Sequence, residues 1–89
     1  MIFSSAVLQH VRPERIAAVC GSLQRLAARW IVLIEYCDGS EDFFAQPHLY
    51  RHDYRSLFAA PWRCAEEKRV PGRTQPATWG VYVFAREDA

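Results

Sequence analysis

The chain has 89 residues, 51% of them apolar and 13% aromatic, with a formal net charge of +1. That length allows a single domain, and that composition is globular rather than disordered. The near-neutral charge excludes a strong field for nucleic acid or an anionic membrane, so neither is expected as a partner.

Positive charge comes almost wholly from arginine, with Lys68 the sole lysine, and the arginines are scattered. Beside so many alanines, this points to a GC-rich bacterial coding sequence. Cys20, Cys37 and Cys64 are odd in number and lack a Cys-x-x-Cys pair. They read as free thiols in a reducing compartment, against a disulfide framework or a closed zinc site. No run approaches the ~20 apolar residues of a membrane span. The start "MIFSSAVLQH" has neither the basic lead nor the apolar length of a signal peptide. A cytoplasmic chain, soluble alone or through a partner, is expected.

Residues 2–8 predict a strand that is apolar on both sides, which implies neighbours on both of its edges. Pro13 and Glu14 then open a helix over 13–29. Ile16, Val19, Cys20, Leu23 and Ala27 supply its apolar stripe at i, i+3, i+4 and i+7. Gly21, about 1 kcal/mol worse than alanine in a helix, suggests close packing there against another backbone. "WIVLIEY", 30–36, predicts a second strand, apolar enough to be buried on both faces of a parallel sheet. Strand, helix and strand make a right-handed βαβ unit. Turn residues 37–40 follow, then a loop and a short helix over 53–60 ended by Pro61. Strands over 62–69 and 78–87 complete the chain, with "PGRTQPA", 71–77, a protruding loop between them. The whole reads as one α/β domain spanning 1–89.

Several side chains carry possible chemistry. His10, just past the first strand, is a candidate general base because imidazole titrates near neutrality; packing under the next helix is the plainer role. Glu35 closes the second strand, placed for substrate contact or simply reaching water. Tyr36, Tyr50 and Tyr54 offer an aromatic floor for a substrate, or serve as half-buried core. His48, His52 and Asp53 suggest metal ligands by spacing, but surface and helix-cap roles fit better, and no metal is expected. Trp30, Trp62 and Trp79 read as core or sheet-edge packing. Arg69 and Arg73 flank the 71–77 loop and suit an anionic substrate or plain solvation.

The phrase "IFSSAVLQHV", the immediate Pro-Glu helix start and "RWIVLIEY" resemble strands four and five of class I S-adenosylmethionine-dependent methyltransferases. "YRHDYRSLF" is similar to the Arg-Asp-Tyr segment of several small-molecule and sugar-tailoring members, and "TWGVYVFARE" to the last strand of the family's antiparallel pair. The resemblance covers nearly the whole chain, but only the second half of a Rossmann-like fold. Ser4, Ser5 and Ala6 would then line the methionine side of the cofactor pocket, with His10 at its mouth as base. Glu35, Tyr36, Tyr50 and Arg73 would meet the methyl acceptor, a small molecule. The family's glycine-rich cofactor loop and ribose-binding acid have no counterpart, and Gly21, Gly39, Gly72 and Gly80 are isolated. S-adenosylmethionine is therefore expected only if a first half is supplied, and the isolated chain is expected to be inactive. In the family, strand four lies between strands one and five. The edge of strand 2–8 is thus expected to pair, in a homo-oligomer or with a protein carrying the first half. The alternative is a non-catalytic half-domain that serves for dimerisation or partner binding.

Overall fold

Alternation in β2 (Trp30–Gly39) organises the molecule: Ile31, Leu33 and Glu35 are buried, whereas Val32, Ile34 and Tyr36 are only half-buried. The computed structural model describes residues 1–39, 47, 49–72 and 77–87. They form a small mixed α/β domain with one helix, α1 (Pro13–Leu26), and a four-stranded mixed sheet. The other strands are β1 (Ile2–Ser5), β3 (Trp62–Pro71) and β4 (Ala77–Arg86), in the order β1-β2-β4-β3. β1 runs parallel to β2, as a βαβ unit requires, while β4 lies antiparallel between β2 and β3. No helix among the described residues is long and apolar enough to cross a membrane.

One face of this sheet carries the core. Ile31, Leu33, Tyr82 and Phe84 pack with Ile16 and Cys20 of α1 and with Leu8, Tyr54, Phe58 and Trp62. The stripe expected on α1 is the stripe that packs, since Val19 and Leu23 lie against this cluster and Ala27 belongs to it. The helix stops at Leu26, short of the expected 29, because Ala27 turns extended. Just before β2, Arg29 is already tied to β4, its carbonyl accepting from the Arg86 N–H at 3.0 Å. Gly21 does not mark a close backbone approach: an added Cβ would meet only the Arg25 guanidinium, at 3.5 Å.

The expected helix over 53–60 is a single 3-10 turn, Tyr54–Leu57. Asp53 precedes it without a side-chain capping bond, and Phe58 leaves it extended. Stacking of Phe58 on Phe84, centroids 4.1 Å apart, outweighs continuation of the helix. Strand 2–8 is also shorter than expected. It ends at Ser5, where Ala6 takes a left-handed φ of 57°, and Leu8–His10 form another 3-10 turn.

The second face of the sheet contradicts the reading of β2 as buried on both sides. Rows Phe3–Val32–Val83, Ser5–Ile34–Val81 and Tyr36–Trp79–Val70 lie along it. None of these side chains joins the core cluster; Phe3 is 57% exposed and Val70 47%. α1 and the segment around Tyr54 cover only the other side. β1 likewise has one neighbour rather than two among the described residues, and it forms an edge of their sheet. The two edges differ in kind. β3 carries exposed Arg63, Glu66 and Lys68 and a bulge between Cys64 and Glu66, features that discourage strand pairing. β1 presents Ile2, Phe3, Ser4 and Ser5, with no charge and no bulge.

Gly80 is required by packing rather than by a turn. It sits in β4 opposite Glu35, and the Tyr82 ring lies across it: an added Cβ would fall 2.6 Å from the Tyr82 Cε2. Gly80→Ala should therefore destabilise the fold by about 1–3 kcal/mol, because the buried ring has to move. Urea titration would measure this. A Gly80→Ala, Tyr82→Leu double variant should show much less than the sum of the two single losses.

Candidate functional site

The C-terminal ends of the parallel pair are where open α/β sheets bind ligands. Here the chain leaves β1 through Ala6, whose N–H still donates to the Ile34 carbonyl at 2.9 Å. It then winds through Leu8–His10 over a fully buried carboxyl group, Glu35. Glu35 Oε1 accepts from the Ser4 hydroxyl at 3.2 Å and from the N–H groups of Val7 and Leu8 at 3.2 and 3.1 Å. Its Oε2 accepts from the Gln9 N–H at 3.4 Å. A buried carboxyl needs such donors, and these are the ones the turn would otherwise leave unpaired.

Gln9, 3% exposed, extends the lacing. Its Oε1 accepts from the Tyr36 N–H at 2.8 Å and its carbonyl from the Tyr50 N–H at 2.7 Å. The left-handed Ala6, a conformation that costs an L-residue roughly 1–2 kcal/mol, is held by this network.

The structure separates several residues expected to act together. Ser4 faces the core side and bonds Glu35, so it does not line a shared pocket with Ser5. Ser5 is exposed on the open face, in a shallow hollow of about 300 Å³ floored by Ile34, Val70, Trp79 and Val81. His10 is exposed at the end of the turn, and Ala6 is half-buried. Glu35 neither meets a substrate at the surface nor reaches water; its carboxyl is enclosed and holds the turn.

The three tyrosines do not form one floor. Tyr36 stacks on Trp79 on the open face, centroids 3.8 Å apart, while Tyr54 is core on the other face. Tyr50 is half-buried with its ring 6.3 Å from His52. Of the tryptophans, Trp62 is core and Trp30 is 38% exposed. Arg73 and His48 lie outside the described residues.

His52 is tied to the chain that follows the turn. Its Nε2 lies 2.7 Å from the Val11 carbonyl, which can only accept, so that nitrogen carries a proton. No group of three or more His, Cys, Asp or Glu that could hold a metal occurs among the described residues. Cys20, Cys37 and Cys64 are free thiols.

Burial governs the titrating groups around Glu35. Cys20 is pushed up to about 11, by burial first and then by the charge of Glu35. Tyr54 is held far above the usual phenol range by the same two causes, in the same order. The Tyr54 hydroxyl is buried and has no hydrogen-bond partner among the described residues.

Sequence reasoning missed Gln9 altogether and misread Glu35. A signal for Glu35 existed: a lone acid inside "WIVLIEY" has to find donors once the strand is buried. Gln9 carries no such signal, because its role depends on where the turn meets β2.

No protein-family model matches the chain, and neither does any curated protein or solved structure.

Proposed function

We propose that this chain is the substrate-side half of a class I methyltransferase-like fold, completed by a first half in another segment or another polypeptide. The observation that carries the reading is an apolar face that the described residues leave uncovered, continuous with a β1 edge they leave unpaired, on a βαβ unit followed by an antiparallel pair. An apolar face of this kind is stable when a second layer buries it. The sequence phrases resembling strands four and five of that family, and the last strand of its antiparallel pair, support the same reading.

The residues present make only part of a cofactor site. Ser5, Ala6 and His10 remain accessible at the C-terminal end of β1. The N–H groups of Val7, Leu8 and Gln9, which would suit an anionic group, are taken by Glu35. With no glycine-rich loop and no ribose-binding acid, the chain alone does not fit S-adenosylmethionine. Within the completed fold, the contribution of this half is positioning: a rigid, strained turn beside the reacting groups, with His10 as the candidate base. The second reading is a non-catalytic half-domain for dimerisation or partner binding. The engagement of the turn's N–H groups by Glu35 favours it.

Native mass spectrometry of the purified chain, with and without S-adenosylhomocysteine, tests both readings. A dimer or larger assembly is expected. Gain of one cofactor mass per chain supports a methyltransferase half completed in trans. An assembly that ignores the cofactor supports the module. A monodisperse monomer at micromolar concentration rejects both self-association and the argument from the open face. Ile34→Asp, placed in the middle of that face, should dissociate the assembly while far-ultraviolet circular dichroism stays unchanged.

A further inference from the structure

A second concavity, of about 510 Å³, lies on the core side of the sheet, between the 51–55 segment and the β3–β4 hairpin. It is set apart from the turn after β1, and it does not depend on the methyltransferase reading. Arg51, Arg55 and Arg69 line it, together with Asp53, Glu67 and Tyr82. Three arginines against two carboxyl groups give this opening a local excess of positive charge.

The ion-pair geometry shows how these charges are arranged. The Nε atoms of Arg55 and Arg69 each stand 3.8 Å from a Glu67 carboxyl oxygen. That is too long for a hydrogen bond, so Glu67 acts as a charge placed between two guanidiniums that would otherwise repel. It is also the deeper group: its side chain is 23% exposed, against 62% for Arg55 and 57% for Arg69. The anion is recessed and the cations stand at the rim. Arg55 comes from the 3-10 turn and Arg69 from β3 opposite Gly80, so two independent elements converge on one opening.

We propose that this cleft binds a small oxyanion, a phosphate or carboxylate group carried by a metabolite-sized molecule, between Arg55 and Arg69. Guanidinium forks match both oxyanions, and a ligand at the rim adds the counter-charge that Glu67 alone does not supply. The volume falls in the range of small-molecule sites. A nucleic-acid strand would need a continuous basic track, whereas β3 beyond the cleft mixes Arg63 and Lys68 with Glu66.

Calorimetric titration of the full chain at low ionic strength tests this, with inorganic pyrophosphate and citrate as separate probes. Saturable binding of either is expected, and the preferred probe identifies a phosphate or a carboxylate ligand. The Arg55→Gln, Arg69→Gln double variant should bind about tenfold more weakly or worse. Glu67→Gln, which removes the competing carboxyl, should bind severalfold more tightly. Arg63→Gln, on the same strand but outside the cleft, should bind as the wild type does. The three arginines are exposed and Glu67 is half-buried, and circular dichroism will verify that each variant folds. No saturable binding of either probe, or equal binding by wild type and the double variant, overturns the proposal. Tighter binding in Glu67→Gln is the readout that generic loss of structure would not produce.

Discussion

Glu35→Ala is expected to lose about 3–5 kcal/mol of stability, enough to bring a domain of this size close to unfolding. The loss is not that of four ordinary hydrogen bonds. Deleting the carboxyl leaves the N–H groups of Val7, Leu8 and Gln9 without acceptors at a buried strand end. An orphaned buried donor costs about 1–3 kcal/mol, more than an intact bond contributes. The strained Ala6 then loses the contacts that hold it, and the turn is free to relax. Ser4→Ala makes the contrast: it removes one donor together with its bond and leaves three donors on Glu35, so about 1 kcal/mol is expected. Glu35→Gln should fall between the two, since an amide keeps one acceptor oxygen and adds donors where donors already converge. Urea unfolding followed by tryptophan fluorescence would rank the three variants. A Glu35→Ala protein within about 1 kcal/mol of wild type would show that the network is not what holds the turn.

Stability should also fall steeply on the alkaline side. Cys20 has its folded value raised from an ordinary 9.0 to about 11, and Tyr54 and Tyr82 are raised further above their ordinary 10.0. For Tyr82, burial is again the leading cause, followed by the neighbouring Cys37. Each group keeps its proton in the folded state at a pH where the unfolded chain has released it. Unfolding then releases protons, so rising pH favours it. The stabilisation is complete below pH 9.0, is lost for Cys20 between 9.0 and about 11, and is lost for the tyrosines from 10.0 upward. Urea midpoints should hold level up to about pH 8.5 and then decline with increasing slope. Tyr54→Phe separates this cause from general alkaline damage. It removes the partnerless buried hydroxyl, which should raise stability near neutrality by about 1–2 kcal/mol, and it should flatten the alkaline decline. An alkaline limb unchanged in Tyr54→Phe would locate the titration elsewhere.

Both predictions concern residues whose roles follow from position more than from type. The apolar period of α1 was legible because its core stripe needs only a 3.6-residue repeat, and Ile16, Val19, Cys20, Leu23 and Ala27 are that repeat. The strands around Trp30, Trp62 and Trp79 were legible for a similar local reason: β-branched and aromatic residues bounded by turn formers. Their ends were less so. β1 stops at Ser5 because of a glutamate thirty residues away, and α1 stops at Leu26 because Arg29 is already paired with Arg86.

The candidate site divides in the same manner. The expectation that ligand chemistry gathers after β1 rests on topology, and the turn is indeed there. Which side chains remain available was decided by pleat and register. Ser4 and Ser5 are adjacent in sequence but point to opposite faces, so one bonds Glu35 and the other meets solvent. Tyr36 and Tyr54 are parted by the sheet itself.

The amino-acid order alone marked α1, the four strands and the free state of the cysteines, because each depends on local period or a count. It also marked β2 as a strand built for burial on both faces. Tertiary structure alone decided that the described residues leave one of those faces uncovered, that Glu35 points inward to hold a strained turn, and that Arg55 and Arg69 meet across a cleft. Those outcomes depend on contacts between residues far apart in the chain. The energy of such a contact comes from desolvation and register, quantities that no local pattern of residues encodes.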